Sequence, residues 1–158
     1  MKIRPNTFWR VPIFCIISSW ISYYVTVMIG GFFFTVKTVG ADGVIEVSAD
    51  PLRSAIFNGI LFVIVLLIGG LWAFRNMSKP EIAISATIIS AIYLAITIAQ
   101  MCITDMPVSV GVSLAPFQNW TGIVASFFLK LTNSFNVSVL LANFAPFLFV
   151  IFGKKSNK

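Results

Sequence analysis

Hydrophobic positions gather in four long runs, roughly Val11–Phe34, Ser54–Phe74, Ile82–Ile103 and Phe135–Phe152, and the ionised side chains sit almost entirely between them. Each run approaches or exceeds the roughly 20 helical residues that cross a hydrocarbon core. The pattern predicts an all-α membrane protein. It is a four-helix transmembrane bundle with spans at about 11–34, 54–74, 82–103 and 133–152, built as one integral membrane domain over residues 1–158. Two longer loops, at about 35–53 and 104–132, fall on the same side of the membrane.

Inside those loops the period shortens. Val36, Lys37, Thr38 and Val39 lead into Gly40, Ala41, Asp42 and Gly43, and then into Val44, Ile45, Glu46, Val47 and Ser48. Asp-Gly between β-branched runs signals a hairpin. In the second loop Val108, Val110, Val112 and Leu114 alternate with Ser109, Gly111 and Ser113, and a period of two predicts a strand with one covered face. A lone hairpin is marginal in water whereas three strands are stable. The expectation is therefore a small antiparallel β-sheet formed by the two outer loops.

The spans carry small residues one turn apart. Ser18, Ser22, Thr26 and Gly30 form such a seam in the first span. Ala83, Thr87, Ala91, Ala95 and Ala99 form one in the third, and Ser134, Ser138 and Ala142 one in the fourth. Small residues at this spacing let helix backbones approach closely in lipid, so each seam predicts internal packing or contact with a partner. Helix starts are legible as well. Asp50 before Pro51 has the form of an N-cap with proline at the first helical position. Ser78 with Glu81 forms a capping box, and Met77 is placed to staple onto Ile82. That assigns Glu81 to helix initiation.

Charge sets the expected orientation. Lys2, Arg4, Arg10, Arg75, Lys79, Lys154, Lys155 and Lys158 are eight of the eleven basic residues, and all fall on one side if every run crosses once. Lys37, Arg53 and Lys130 are left for the other, with Asp42, Glu46, Asp50 and Asp105. Short loops rich in Lys and Arg stay cytoplasmic, which predicts both termini in the cytosol of a bacterial inner membrane. The basic residues are dispersed rather than gathered on one face, which disfavours nucleic acid as a partner. The first run exceeds the 7–15 residues of a signal-peptide core and reads as an uncleaved anchor. Lys130 is placed at the outer interface, where its stem can snorkel. Cys15 and Cys102 lie too far apart in depth for a disulfide.

The inventory of reactive groups is short. The chain has no histidine, the commonest general base and metal ligand. No Asp or Glu lies inside a span, so an intramembrane proton relay has no residues. Phosphate-binding and paired-cysteine motifs are also missing. This predicts a protein that is not an enzyme and needs no cofactor or metal. Asn58, Gln100, Asn136 and Asn143 are neutral polar groups within the spans. Asn136 and Asn143, seven apart, are candidates for a polar path, and Asn143 shortly precedes the helix-breaking Pro146.

Four spans with strands in both outer loops resemble the layout of claudin-like proteins. The tryptophan and paired-cysteine signature of their first outer loop is absent here, so the resemblance implies architecture alone. The expected function is that of a non-enzymatic polytopic inner-membrane protein acting through protein–protein interaction, of the immunity, entry-exclusion or assembly-subunit type. Its partners are the lipid bilayer and another membrane or periplasmic protein or itself. Outer-face recognition is expected at Asp42, Glu46, Asp50, Asp105, Val108, Val110 and Val112, because exposed loops on a rigid scaffold carry recognition. Within the membrane it is expected at Ser18, Ser22, Thr26, Gly30, Ala91, Ala95, Ser138 and Ala142. The alternative is a small oligomeric transporter or channel subunit using Asn136 and Asn143.

Overall fold

A computed structural model describes residues 7–39, 45–102 and 114–155. It is mostly helical, with four helices long and apolar enough to span a membrane: α1 (Arg10–Phe34), α2 (Pro51–Ala73), α3 (Lys79–Cys102) and α5 (Phe135–Phe152). A shorter helix, α4 (Gly122–Thr132), precedes α5. Between α1 and α2 stands a two-stranded antiparallel sheet, β1 (Thr35–Val39) and β2 (Ile45–Ala49), with Thr35 opposite Ala49 and Val39 opposite Ile45. The expected hairpin is present. Of the strand expected across Val108–Leu114, residues 108–113 lie outside the described residues, as does the turn at Asp42, and Leu114 is helical rather than extended. Leu114 begins a short helical stretch over 114–118.

The two ends of the bundle are tied differently. At the hairpin end the Asp50 amide donates to Phe34 O at 2.7 Å, and the Asp50 carboxylate accepts from the Leu52 and Arg53 amides at 2.9 and 3.1 Å. Pro51 takes the first helical position, where its missing N–H costs nothing. At the opposite end, Lys154 pairs in parallel with the 77–79 turn. The Lys79 amide donates to Lys154 O and the Lys154 amide to Met77 O, each at 3.1 Å. The Ser78 amide and hydroxyl both donate to Glu81 Oε2, so the carboxylate does reach back over the helix start. The Ser78 hydroxyl binds that carboxylate too. Met77 and Ile82 are both fully buried in one core cluster.

Ring packing holds the core at this end. Phe14, Phe74 and Phe149 meet edge to face with centroids 5.0–5.7 Å apart, a favoured arrangement of aromatic quadrupoles. Two departures from regular α-helix make room for it. Ile68–Ala73 of α2 is π-helical and buries the adjoining Gly69 and Gly70 together. Around and beyond Pro146, residues Ala145–Phe152 of α5 wind as a narrow 3₁₀ helix. In that geometry residues three apart eclipse, so Pro146, Phe149 and Phe152 line one face. A Cβ on Gly69 would strike the Phe149 ring and one on Gly70 the Phe152 ring.

The stretch expected to be an outer loop, 104–132, behaves otherwise over its described part. Residues 114–121 descend into the bundle, and Trp120 stacks on Phe62 at 5.6 Å and 15°. Phe62 lies halfway along the 23-residue α2. From there α4 returns to the hairpin end and stops at Asn133, whose φ of 51° is the one positive value outside glycine among the described residues. The Asn133 amide closes α4 onto Leu129 O at 3.0 Å, the single bond of a left-handed helix stop. Asparagine is among the residues that tolerate this conformation. At 1.5 Å per residue α4 is about 16 Å long, about half of a hydrocarbon core of roughly 30 Å.

Candidate functional site

Where 114–121 turns inside the bundle, it brings a polar residue from each of three elements together. Gln118 Nε2 donates to Tyr93 O at 2.9 Å, to Thr97 Oγ1 at 3.2 Å and to Asn143 Oδ1 at 3.5 Å. Asn143 Nδ2 donates to Thr97 Oγ1 at 3.0 Å, and the Thr97 hydroxyl in turn reaches Asn143 Oδ1 at 3.3 Å. Trp120 Nε1 meets Tyr93 Oη at 3.4 Å. Thr97 and Asn143 are 1% and 2% exposed, so they are buried in a clamp whose members hydrogen-bond one another. Its position follows from chain chemistry. Asn143 sits where the α-helical half of α5, Phe135–Ala142, ends, and Asn119–Thr121 is a single 3₁₀ turn. Both are sites where backbone groups lose helical partners, and in a membrane-spanning bundle such non-helical backbone persists where it is buried in protein or lines a cavity.

Two cavities flank α4 above this clamp. One, of about 290 Å³, is walled by Gln118, Thr121, Ser126, Ser138 and Asn143 among others. The second, of about 320 Å³, lies between α4, α1 and α2 and presents Thr26, Ser54, Asn58, Asn119 and Ser126. In the second, Thr26 Oγ1 donates to Asn58 Oδ1 and Asn58 Nδ2 to Ser54 Oγ, both at 3.4 Å. The Asn119 side chain makes no hydrogen bond among the described residues. A third space, an apolar groove of about 400 Å³, runs from Phe127 and Phe128 past Phe62 to Leu148. No ionisable side chain lines any of the three. No group of three or more His, Cys, Asp or Glu residues stands together among the described residues.

The residues singled out from sequence are distributed unevenly over this geometry. Ser18, Ser22 and Gly30 are buried inside the bundle, and Thr26 joins Asn58 in the second cavity. Ser138 and Ala142 are buried too, with Ser138 Oγ 2.9 Å from Thr132 Oγ1. Ala91 and Ala95 instead lie exposed on the outer side of α3. Asn143 is buried and Asn136 exposed, so the two do not form one polar path. Asp50 is occupied in capping and pairs with Arg53 at 3.4 Å. Glu46 faces Thr38 in the strand register, and Lys130 is exposed in the last turn of α4. Cys15 is buried and Cys102 exposed, and both are free. Asp42, Asp105, Val108, Val110 and Val112 lie outside the described residues.

Sequence reasoning missed Gln118, Trp120, Thr97 and Tyr93. A signal was present: Ile123–Leu131, nine mostly apolar residues that include Ser126 and Lys130, is too short to span a bilayer. Comparison with protein-family models, with curated proteins and with solved structures finds no match.

Proposed function

We propose that this protein is a non-enzymatic integral membrane protein of the transporter or channel-subunit type. Both termini are in the cytosol, and the protein admits a neutral hydrogen-bonding ligand from the face that carries the hairpin. The carrying observation is the break at mid-depth, where 118–121 and Asn143 interrupt two helical segments beneath cavities lined by amides and hydroxyls. Interrupted helices at the bundle centre are how secondary transporters build binding sites. π-helical turns such as Thr26–Gly30 and Ile68–Ala73 are frequent at functional sites. Absence of ionisable lining groups favours an uncharged ligand, since an unpaired charge at that depth is costly.

Cysteine reactivity in intact cells tests the reading. In a Cys102→Ser background, Ser48→Cys is expected to react with a membrane-impermeant thiol reagent added outside. Asn119→Cys is expected to react within tenfold of that rate. Val63→Cys, on the exposed side of α2, is expected to stay inert. An inert Asn119→Cys means the cavities are dry packing defects, and an unreactive Ser48→Cys overturns the orientation.

A second reading has its own support. The α3 seam of Thr87, Ala91, Ala95 and Ala99 is exposed while the other seams point inward. This favours association with a second copy or another membrane protein, as in immunity, exclusion or assembly proteins. A strand over 108–113, of the kind the alternating valines predict, would extend that contact at the outer face if it joined β1 and β2.

A further inference from the structure

The structure assigns to the site a ligand class: a neutral lipid with a hydroxyl-bearing head group, of the acylglycerol kind, its head in the cavity between α1, α2 and α4 and its acyl chain in the apolar groove. This rests on the reading that the cavity is open to ligand. The polar cavity and the groove are neighbours, sharing Ile123 of α4 and bordering the same stretch of α2. On α2 the polar Asn58 faces the cavity and Phe62, one turn further along, faces the groove. Four residues advance a helix by about 6 Å, so polar and apolar compartments succeed one another within one amphiphile's length.

The polar compartment includes Pro51, the first residue of α2, and so belongs to the hairpin end. The groove reaches past mid-length to Leu148 in the 3₁₀ half of α5. Along α2 the polar lining Pro51, Ser54 and Asn58 stands nearer the hairpin end than Phe62, so a chain leaving the cavity can run on toward the bundle centre; along α4 the two spaces overlap, with Phe127 and Phe128 nearer the hairpin end than Asn119. Head-group chemistry follows from what the cavity offers. Asn119 brings a side chain with no hydrogen bond among the described residues, and Thr26, Asn58 and Ser54 are linked only by 3.4 Å bonds that a hydroxyl can replace. A phosphate would lack a cation, because Lys130 does not line the cavity and Arg53 is engaged with Asp50. Groove walls of Val124, Phe127 and Phe128 present an apolar surface against which an acyl chain can pack.

Protection of Asn119→Cys from the impermeant reagent in right-side-out vesicles tests this. Adding 1-monooleoylglycerol is expected to slow labelling at least tenfold. The same concentration of glycerol, or of dioleoylphosphatidylglycerol, is expected to leave the rate within twofold. Val124→Trp, which fills the groove, is expected to restore the unprotected rate. A reactive Asn119→Cys whose rate ignores monooleoylglycerol, or falls equally with phosphatidylglycerol, overturns the lipid assignment and leaves the proposed function standing. An Asn119→Cys that never reacts defeats that function and this inference together.

Discussion

Single glycines decide how closely the backbone packs at the end where residues 153–155 meet the 77–79 turn. A Cβ on Gly153 would lie 2.8 Å from both Lys79 N and Lys79 Cα, backbone atoms fixed in the first turn of α3. Gly153→Ala therefore has to push the 153–155 segment away and break the two 3.1 Å bonds between Lys154 and the 77–79 turn. Overpacking of this kind costs about 1–3 kcal/mol. Gly59 is the converse, with nothing within 4 Å of an added Cβ in the interior of α2. Gly59→Ala is expected to gain about 0.5–1 kcal/mol by removing backbone freedom. Thermal unfolding in mild detergent should move in opposite directions for the two variants. A Gly153→Ala protein as stable as the parent would mean the bridge at Lys154 contributes nothing to folding.

At the scale of elements, the clamp beneath α4 is what turns a surface segment into part of the core. Gln118, Thr97 and Asn143 come from three separate elements and form one hydrogen-bonded set. The terms of a double-mutant cycle on Thr97→Val and Asn143→Leu should therefore not add. Interhelical polar pairs in membranes contribute about 0.6–2 kcal/mol, and a coupling energy in that range by reversible unfolding is the expected outcome. Additive losses would show that the bonds are incidental to the turn at 118–121. What could be read in advance divides along the same line. The four spans, the β1–β2 hairpin, the Asp50 cap and the Glu81 reach-back all depend on neighbours within a few residues, and local chemistry announces them. The descent of 114–121 depends on Tyr93 and Thr97, more than twenty residues earlier. Both sit in an apolar run where nothing marks them off. Likewise the small-residue seams of α1, α3 and α5 look alike in spacing, and only packing reveals that two turn inward and one outward.

The whole molecule leaves that one seam unused. Ser18, Ser22 and Gly30 are spent inside the bundle, as are Ser138 and Ala142, while Thr87, Ala91, Ala95 and Ala99 form an exposed line along α3. Thr87 Oγ1 donates back to Ala83 O at 2.9 Å, so the line carries no unpaired hydroxyl and presents a smooth surface. Beside it, a hollow of about 160 Å³ bordered by Ala91, Leu94, Phe144 and Phe147 can receive a side chain from a facing helix. Lipid gives no hydrophobic reason to hide such a surface, so close backbone approach and dispersion have to drive any pairing. If α3 pairs with a second copy, Ala95→Cys in the Cys102→Ser background should form a disulfide-linked dimer under mild oxidation. Ile60→Cys, exposed on α2, should not. Ala95→Leu, which holds the backbones apart, should then shift the detergent-solubilised protein to monomer in light scattering. A parent protein that is monomeric, with Ala95→Cys no more cross-linked than Ile60→Cys, would remove self-association. Any interaction role would then fall to a different partner or to the outer face.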